Sequence, residues 1–260
     1  KALIIKDFSI PKWRGTDIAN ARLFSSELID ETDKMLYLDS DTIIVDDLKG
    51  LFDKKIQRPL AAVKEMIIPE HMKRLSQDYH GENIETYYNS GVLLFNYNAW
   101  DQEDCLNDLY CVAKNVHNDL IYPDQDLINL TFQNKIETLD LSYNIVPLAK
   151  VLENHKLLAR KFLKNRPFYY SYDEVLSSLN SPHILHGLPY LSMTVWEENR
   201  VHPFTREYEE YRRLWNEEFE PSRKEKKFIC DMPIASDLNV VAKTFLGDRL
   251  NKKIKQKVLK

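Results

Sequence analysis

Apolar residues along the chain fall into short unbroken runs separated by amphipathic stretches. Ala2–Ile5, Met35–Leu38, Leu60–Val63 and Val92–Phe95 have no polar interruption. Runs of that length suit strands covered on both faces, as in a largely parallel sheet. Residues 2–8, Thr42–Val45, Ile136–Leu141 and His183–His186 also read as strands, the second for its β-branched content. Between them the apolar spacing turns helical. Thr16–Ile29 carries Ile18, Ala21, Leu23, Leu28 and Ile29, with Thr16 or Asp17 as its cap. Asp46 and Asp47 cap a brief helix through Phe52. Asp101–His117 repeats Leu106, Leu109, Val112, Ala113 and Val116 on one side. Pro123 onward, 148–165, Asp173–Leu179 and Thr205–Phe219 read as further helices. Alternating strands and helices predict an α/β domain with a mixed, mostly parallel sheet flanked by helices. Residues 65–86 form a polar excursion with helix near Glu70–Gln77, the kind of insertion that serves as a substrate loop. Residues 220–232 read as a linker, and a last helix from about Ser236 ends in Lys252, Lys253, Lys255, Lys257 and Lys260. One domain over residues 1–200 and a helical, basic C-terminal region over residues 201–260 are the expected organisation.

Composition narrows the function. The chain has 260 residues and a net charge of −4, too weak a charge to argue for nucleic acid. No apolar run reaches the length of a membrane span, and the first residues carry no signal-peptide pattern. Lys1 leads straight into an apolar run, so upstream sequence is expected to be missing. Cys105 and Cys111 lie about 240° apart on their predicted helix by the helical repeat and cannot bridge there. With Cys230 they read as reduced thiols, which fits a cytoplasmic protein. The six glycines form neither G-x-G-x-x-G nor a P-loop. If a nucleotide binds, a cation has to do the work of those loops.

Four places carry candidate chemistry. Met35–Leu38 ends at Asp39-Ser40-Asp41, two carboxylates on one side of extended backbone, at the kind of strand end where open α/β sheets bind ligands. Hard oxygen donors favour Mg²⁺ or Mn²⁺, although a turn uses the same residue types. Asn89-Ser90-Gly91 precedes a buried strand. It reads as turn chemistry, or as a place where a ligand approaches backbone closely. Asp124-Gln125-Asp126 opens a helix: Asp124 as cap and Asp126 as dipole partner is the simpler reading, and the same side chains offer donors and acceptors to a polyol. His186, beside Gly187 at a strand end, is a candidate third metal ligand. Arg22 by itself reads as a solvated helix charge.

Three of these stretches, in order, resemble glycosyltransferase family 8. They are Lys34-Met-Leu-Tyr-Leu-Asp-Ser-Asp41, Tyr88-Asn-Ser-Gly-Val-Leu-Leu-Phe-Asn96 and Pro123-Asp-Gln-Asp-Leu-Ile-Asn129. The resemblance covers roughly residues 16–200. It implies the GT-A fold and a retaining, metal-dependent transfer of galactose or glucose from a UDP-sugar to a glycan, as in lipopolysaccharide and capsule synthesis. Asp39 and Asp41, with His186, would hold Mn²⁺ or Mg²⁺ against the donor diphosphate. Arg22, Asp39, Asn89, Ser90 and Gly91 would bind the donor. Asp124, Gln125 and Asp126 would stand at the reacting carbon, with Asp126 the candidate nucleophile. Two departures stand out. His186-Gly-Leu-Pro-Tyr-Leu-Ser-Met-Thr-Val-Trp196 lacks the Lys of the family's Gly-x-x-Lys-Pro-Trp, and the uridine-binding segment would lie upstream of residue 1. The family also implies a bacterial cell-surface acceptor, and the basic tail suggests an anionic membrane surface at the inner face of the membrane. Two alternatives stay open. One is a non-catalytic carbohydrate- or partner-binding domain. The other is a haloacid-dehalogenase-type phosphatase built on Asp39-Ser-Asp41-Thr42, although Lys252 stands where its Gly247-Asp248 motif needs a second Asp.

Overall fold

The computed structural model describes residues 10, 12, 18–28, 32–116, 120–154, 169–189, 194–196 and 202–219. The expected strand at residues 2–8, the linker at 220–232 and the basic tail lie outside them. Chain contacts divide the protein into two units, elsewhere than at residue 200. Unit 1 comprises Lys1–Asp39, Asp47–Asn144 and Pro167–Tyr169; unit 2 comprises Ser40–Asp46, Ile145–Arg166 and Tyr170–Lys260.

Unit 1 is built on a sheet of β1 (Lys34–Leu38), β4 (Tyr88–Asn96), β3 (Leu60–Lys64) and β5 (Ile136–Thr138), in that order. β1–β4 and β3–β4 pair antiparallel, and β3–β5 pairs parallel. The sheet is mixed as expected, but its described pairings are mainly antiparallel. Continuous apolar runs report covered faces, and a covered central strand reads the same in either direction. β4 is such a strand: every residue from Tyr88 to Phe95 is buried. β1 is not. Its five residues are all half-buried, and among the described strands only β4 pairs with it. The stretch Tyr88–Gly91, expected as a turn, already belongs to β4.

The helices follow their apolar spacing, with breaks that local conformation explains. Ile18–Phe24 winds as a tight 3₁₀ segment before α1 (Ser25–Leu28). α2 is Lys49–Asp53; its approach is held by the Lys49 amide donating to Asp47 Oδ1 at 2.8 Å. α3 (Glu70–His80) buries Met72, Leu75 and Ser76 and ends at Gly81, whose φ of 71° is the left-handed C-cap conformation. The single helix expected over 101–117 is two, α4 (Tyr97–Gln102) and α5 (Cys105–Asn115), because Asp104 turns to φ 51° between them. α6 (Pro123–Thr131) begins at a proline, which suits a first helical position.

These elements enclose one core. Leu60 and Ala62 of β3 and Leu93 and Phe95 of β4 meet Met72, Leu109, Ile128 and Phe132 from the helices. Trp100 lies between Phe95 and Phe132, with ring centroids 5.4 and 5.2 Å away. Cys105 and Cys111 are free, and burial pushes the Cys105 thiol up to about 12.

Unit 2 holds the antiparallel pair β2 (Thr42–Ile44) and β6 (Ile184–His186), the helices α7 (Pro147–Asn154), α8 (Tyr172–Asn180) and α9 (Thr205–Phe219). Ser171 and Glu174 close a capping box at the start of α8. α9 runs over the residues that its spacing predicts. His202 leads into it: Nε2 donates to the Leu188 carbonyl at 2.9 Å and Nδ1 accepts from the Phe204 amide at 3.1 Å. That arrangement requires a neutral ring, and burial lowers the His202 pKa from 6.5.

Leu93 is wholly enclosed. Leu93→Ala should cost about 2–5 kcal/mol of stability in urea unfolding, the range for an emptied core site. His202 gives a pH effect of fixed sign. Its folded pKa is lowered, so the unfolded chain takes up the proton first as pH falls through about 6.5. The urea midpoint should fall between pH 7.5 and 5.5, and His202→Gln, which keeps a donor, should reduce that fall.

Candidate functional site

The site in unit 1 is organised by a cation that the chain buries. Arg22 is 8% exposed, not the solvated charge that its helical context suggests. Its Nη2 lies 2.7 Å from Asp39 Oδ1, and its Nε 3.3 Å from Asp124 Oδ2. Nη1 donates to the Ser90 carbonyl at 2.7 Å and to Ser90 Oγ at 3.1 Å. The guanidinium also sits 4.6 Å over the Tyr37 ring. Burial alone would lower its pKa, but Asp124 and Asp39 outweigh that and raise it. The end of β1, the start of β4 and the first turn of α6 therefore converge on one fixed positive charge.

Asp39 follows β1, and its amide donates to the Gly91 carbonyl at 2.8 Å. Tyr37, two residues earlier on the same side of the strand, donates its hydroxyl to Asp39 Oδ1 at 2.8 Å. Burial, opposed by Arg22, pushes the Tyr37 phenol up, so it remains a donor. Ser90 Oγ donates to Asp124 Oδ2 at 2.8 Å, and the Ser90 amide to Gln125 Oε1 at 2.9 Å. Burial raises the Asp124 pKa, with Arg22 and then Ser90 working against it.

Asn89 is held on three sides. Its Oδ1 accepts from the Gly91 amide at 2.9 Å and from Asn144 Nδ2 at 2.8 Å. Its Nδ2 donates to Glu65 Oε1 at 2.7 Å, and Gln125 Nε2 approaches the same oxygen at 3.4 Å. Gln125 is half-buried between the buried Asp124 and Asp126. Arg22, Asp39, Asn89, Ser90, Gly91, Asp124 and Gln125 thus form one connected polar network.

Asp126 does something different. It is 0% exposed. Oδ2 accepts from the amides of Ile121 and Tyr122 at 2.8 and 2.9 Å, and Oδ1 from the Tyr87 hydroxyl at 2.5 Å. His71 Nε2 lies 3.0 and 3.1 Å from the two oxygens. The carboxylate fastens the approach to α6, whose N-cap residue Tyr122 makes no side-chain cap. Burial and Asp126 together push the Tyr87 phenol well up.

In unit 2, His186 is 1% exposed and its Nε2 lies 3.2 Å from Asp41 Oδ1. The β2–β6 ladder pairs Thr42 with His186, and Gly187 then donates its amide to the Asp41 carbonyl at 2.6 Å. A Cβ at Gly187 would fall 2.8 Å from that carbonyl oxygen, so the residue after His186 has to be glycine for so close a pairing. Trp196 is exposed by 48%.

Sequence reading passed over Tyr37, Glu65, His71, Tyr87 and Asn144. Glu65 was within reach: it follows β3, and the strand-end rule that singles out Asp39 applies to it equally. His71 and Asn144 carry no such signal, since only long-range folding brings them near Asp126 and Asn89.

The Glycosyl transferase family 8 profile matches residues 11–175, more than half of the chain. Glycosyltransferase GlyB of Streptococcus pneumoniae serotype 4 is 30% identical over 167 residues, covering 62% of this chain and 38% of that protein. A lipopolysaccharide 1,2-glucosyltransferase of Escherichia coli K12 is 29% identical over 130 residues, 50% of this chain and 38% of its own length. The chain therefore spans well under half of these curated relatives. The solved galactosyltransferase LgtC, in complex with donor and acceptor sugar analogues, superposes with a TM-score of 0.55 at 24% identity, over 76% of this chain and 66% of that one. This likeness shows the fold, the GT-A fold.

Removing the buried cation tests the network. Arg22→Met leaves Asp39 and Asp124 without their shared partner and should destabilise unit 1 by about 3–5 kcal/mol in urea unfolding. Adding Asp124→Asn should recover part of that loss.

Proposed function

Because the chain belongs to glycosyl transferase family 8, we propose that it transfers a hexose, galactose or glucose, from a UDP-sugar to a glycan hydroxyl with retention at the anomeric carbon. The observation that carries this reading is the network joining Arg22, Ser90, Asp124 and Gln125 in one place. A sugar presents hydroxyls that both donate and accept, and this cluster offers a guanidinium, carboxylates, an amide and a hydroxyl to meet them. Such a site discriminates hexoses through one hydroxyl's hydrogen bonds.

Charge supports a cation. Among the described residues Arg22 is shared by the carboxylates of Asp39 and Asp124, and a third carboxylate, Glu65, joins the network through Asn89. An anionic diphosphate would not bind there without further positive charge. Asp39 and Asp41 are two residues apart, so the backbone keeps their Cα atoms within about 7 Å. His186 already stands beside Asp41. Two carboxylates and an imidazole are a donor set that suits Mn²⁺, and we assign those three residues to it. When bound, the ion supplies Lewis acidity that stabilises the departing diphosphate.

The chain's own residues would then act as follows. Arg22, Ser90 and Asp124 orient the donor hexose, and Asn89 and Glu65 present acceptors and a donor to its neighbours. The bond from the anomeric carbon to the diphosphate oxygen breaks through an oxocarbenium-like state, the bond to the acceptor oxygen forms, and the acceptor hydroxyl's proton passes to the departing diphosphate. Asp126 has its lone pairs occupied and Gln125 is a neutral amide. Both facts favour attack by the acceptor on the face the diphosphate leaves over a covalent intermediate.

The acceptor is proposed as a bacterial cell-surface glycan, in line with the similarity to the E. coli lipopolysaccharide 1,2-glucosyltransferase. Among the described residues no helix is long and apolar enough to cross a membrane. Contact of the basic tail with an anionic membrane surface is proposed from its sequence alone. The family match displaces the phosphatase alternative.

Titration calorimetry of UDP into the chain tests the reading. Binding should require Mn²⁺ and weaken at least tenfold in Asp41→Asn, the scale for losing a metal ligand or its immediate support. Metal-independent binding, or none in the presence of Mn²⁺, would sink it. Release of UDP from UDP-glucose or UDP-galactose would separate a transferase from a binding domain.

A further inference from the structure

Every acceptor position of Asp126 is accounted for. An ionised carboxylate takes about four hydrogen bonds, and Asp126 has the amides of Ile121 and Tyr122, the Tyr87 hydroxyl and His71 Nε2. The first three come from the segment leading into α6 and from the residue before β4. His71 comes from α3, inside the excursion that carries no recognisable motif. A carboxylate accepts only, so His71 is present with a hydrogen on Nε2. It spans both oxygens and fixes the plane of the carboxylate.

α6 is thus pinned from two directions. On the β4 side, Asn129 exchanges two hydrogen bonds with the backbone of Tyr88, at 2.7 and 2.8 Å, and Ser90 holds Gln125. On the α3 side, the side-chain bond from His71 to Asp126 does the work. Gln125 is held by Ser90 and directly precedes Asp126 in the helix. Losing His71 would leave a wholly enclosed carboxylate short of a donor, a costly state that a small rotation of the turn relieves.

We propose that His71 is a positioning residue for the transfer step: through Asp126 it sets the aim of Asp124 and Gln125 at the donor sugar. His71 bonds Asp126 and its ring lies beside Tyr122, so its effect falls on the reacting geometry and not on the nucleotide. The proposal rests on the transferase reading above. A shift of about an ångström in such residues lowers a rate by roughly 100-fold.

The test uses the full chain with His71→Leu, which keeps bulk, and His71→Gln, whose amide nitrogen replaces Nε2. Three readouts are taken: UDP release from UDP-glucose and UDP-galactose with Mn²⁺, the UDP dissociation constant, and amide hydrogen exchange at Ile121 and Tyr122 without ligand. His71→Leu should lower turnover roughly 10- to 100-fold, leave UDP affinity within about threefold, and speed exchange at both amides. His71→Gln should restore both turnover and protection to near wild type. Unchanged turnover and protection in His71→Leu would overturn the proposal. So would a loss of UDP affinity as large as the loss of rate, which would mark a general structural role. A wild-type chain that turns over neither sugar would overturn the transferase reading and the step assignment with it, while the ligand-free exchange result would still decide whether His71 holds the turn.

Discussion

The buried guanidinium of Arg22 is the constraint on which the rest of unit 1 depends. A charge this enclosed is stable only when its hydrogen-bonding capacity is met. Meeting it brings four separate pieces of chain together: the 3₁₀ segment that carries Arg22, the end of β1 with Asp39, the start of β4 with Ser90, and the first turn of α6 with Asp124. None of these pieces is near another in sequence. Their convergence fixes these polar side chains in advance of any ligand, and electrostatic preorganisation of that kind is what the proposed transfer would draw on.

Around that charge the sheet supplies rigidity and α6 supplies reach. β4 is central, paired on both sides and covered on both faces, so Asn89, Ser90 and Gly91 are presented from backbone that cannot easily move. α6 begins against it and carries three consecutive polar side chains with three separate duties. Asp124 joins Arg22, Gln125 meets Ser90 and Glu65, and Asp126 turns inward as an anchor. Consecutive residues on a helix point about 100° apart, which is why one short motif divides its labour this way.

Unit 2 contributes a local device of its own. The close approach of Gly187 to the Asp41 carbonyl sets His186 beside Asp41 within a single two-stranded ladder.

By itself the sequence determined the element types along most of the described chain, the family, and the residues that carry the family's three motifs. Those are local signals: apolar runs, helical spacing, and short motifs whose residues sit within a few positions of each other. It marked α9 with its bounds, β3, β6 and the start of α6. It misjudged β1, because an apolar run records composition and not whether a neighbour covers the strand. It read one helix where Asp104 breaks it in two, because a left-handed residue leaves no periodic trace. Only the tertiary structure decided that Arg22 is buried and shared by two carboxylates, that Glu65 belongs with Asn89 and Gln125, and that Asp126 faces His71 and Tyr87. Those partners are separated by tens of residues along the chain, and a linear pattern carries no term for contacts that only the closed fold creates.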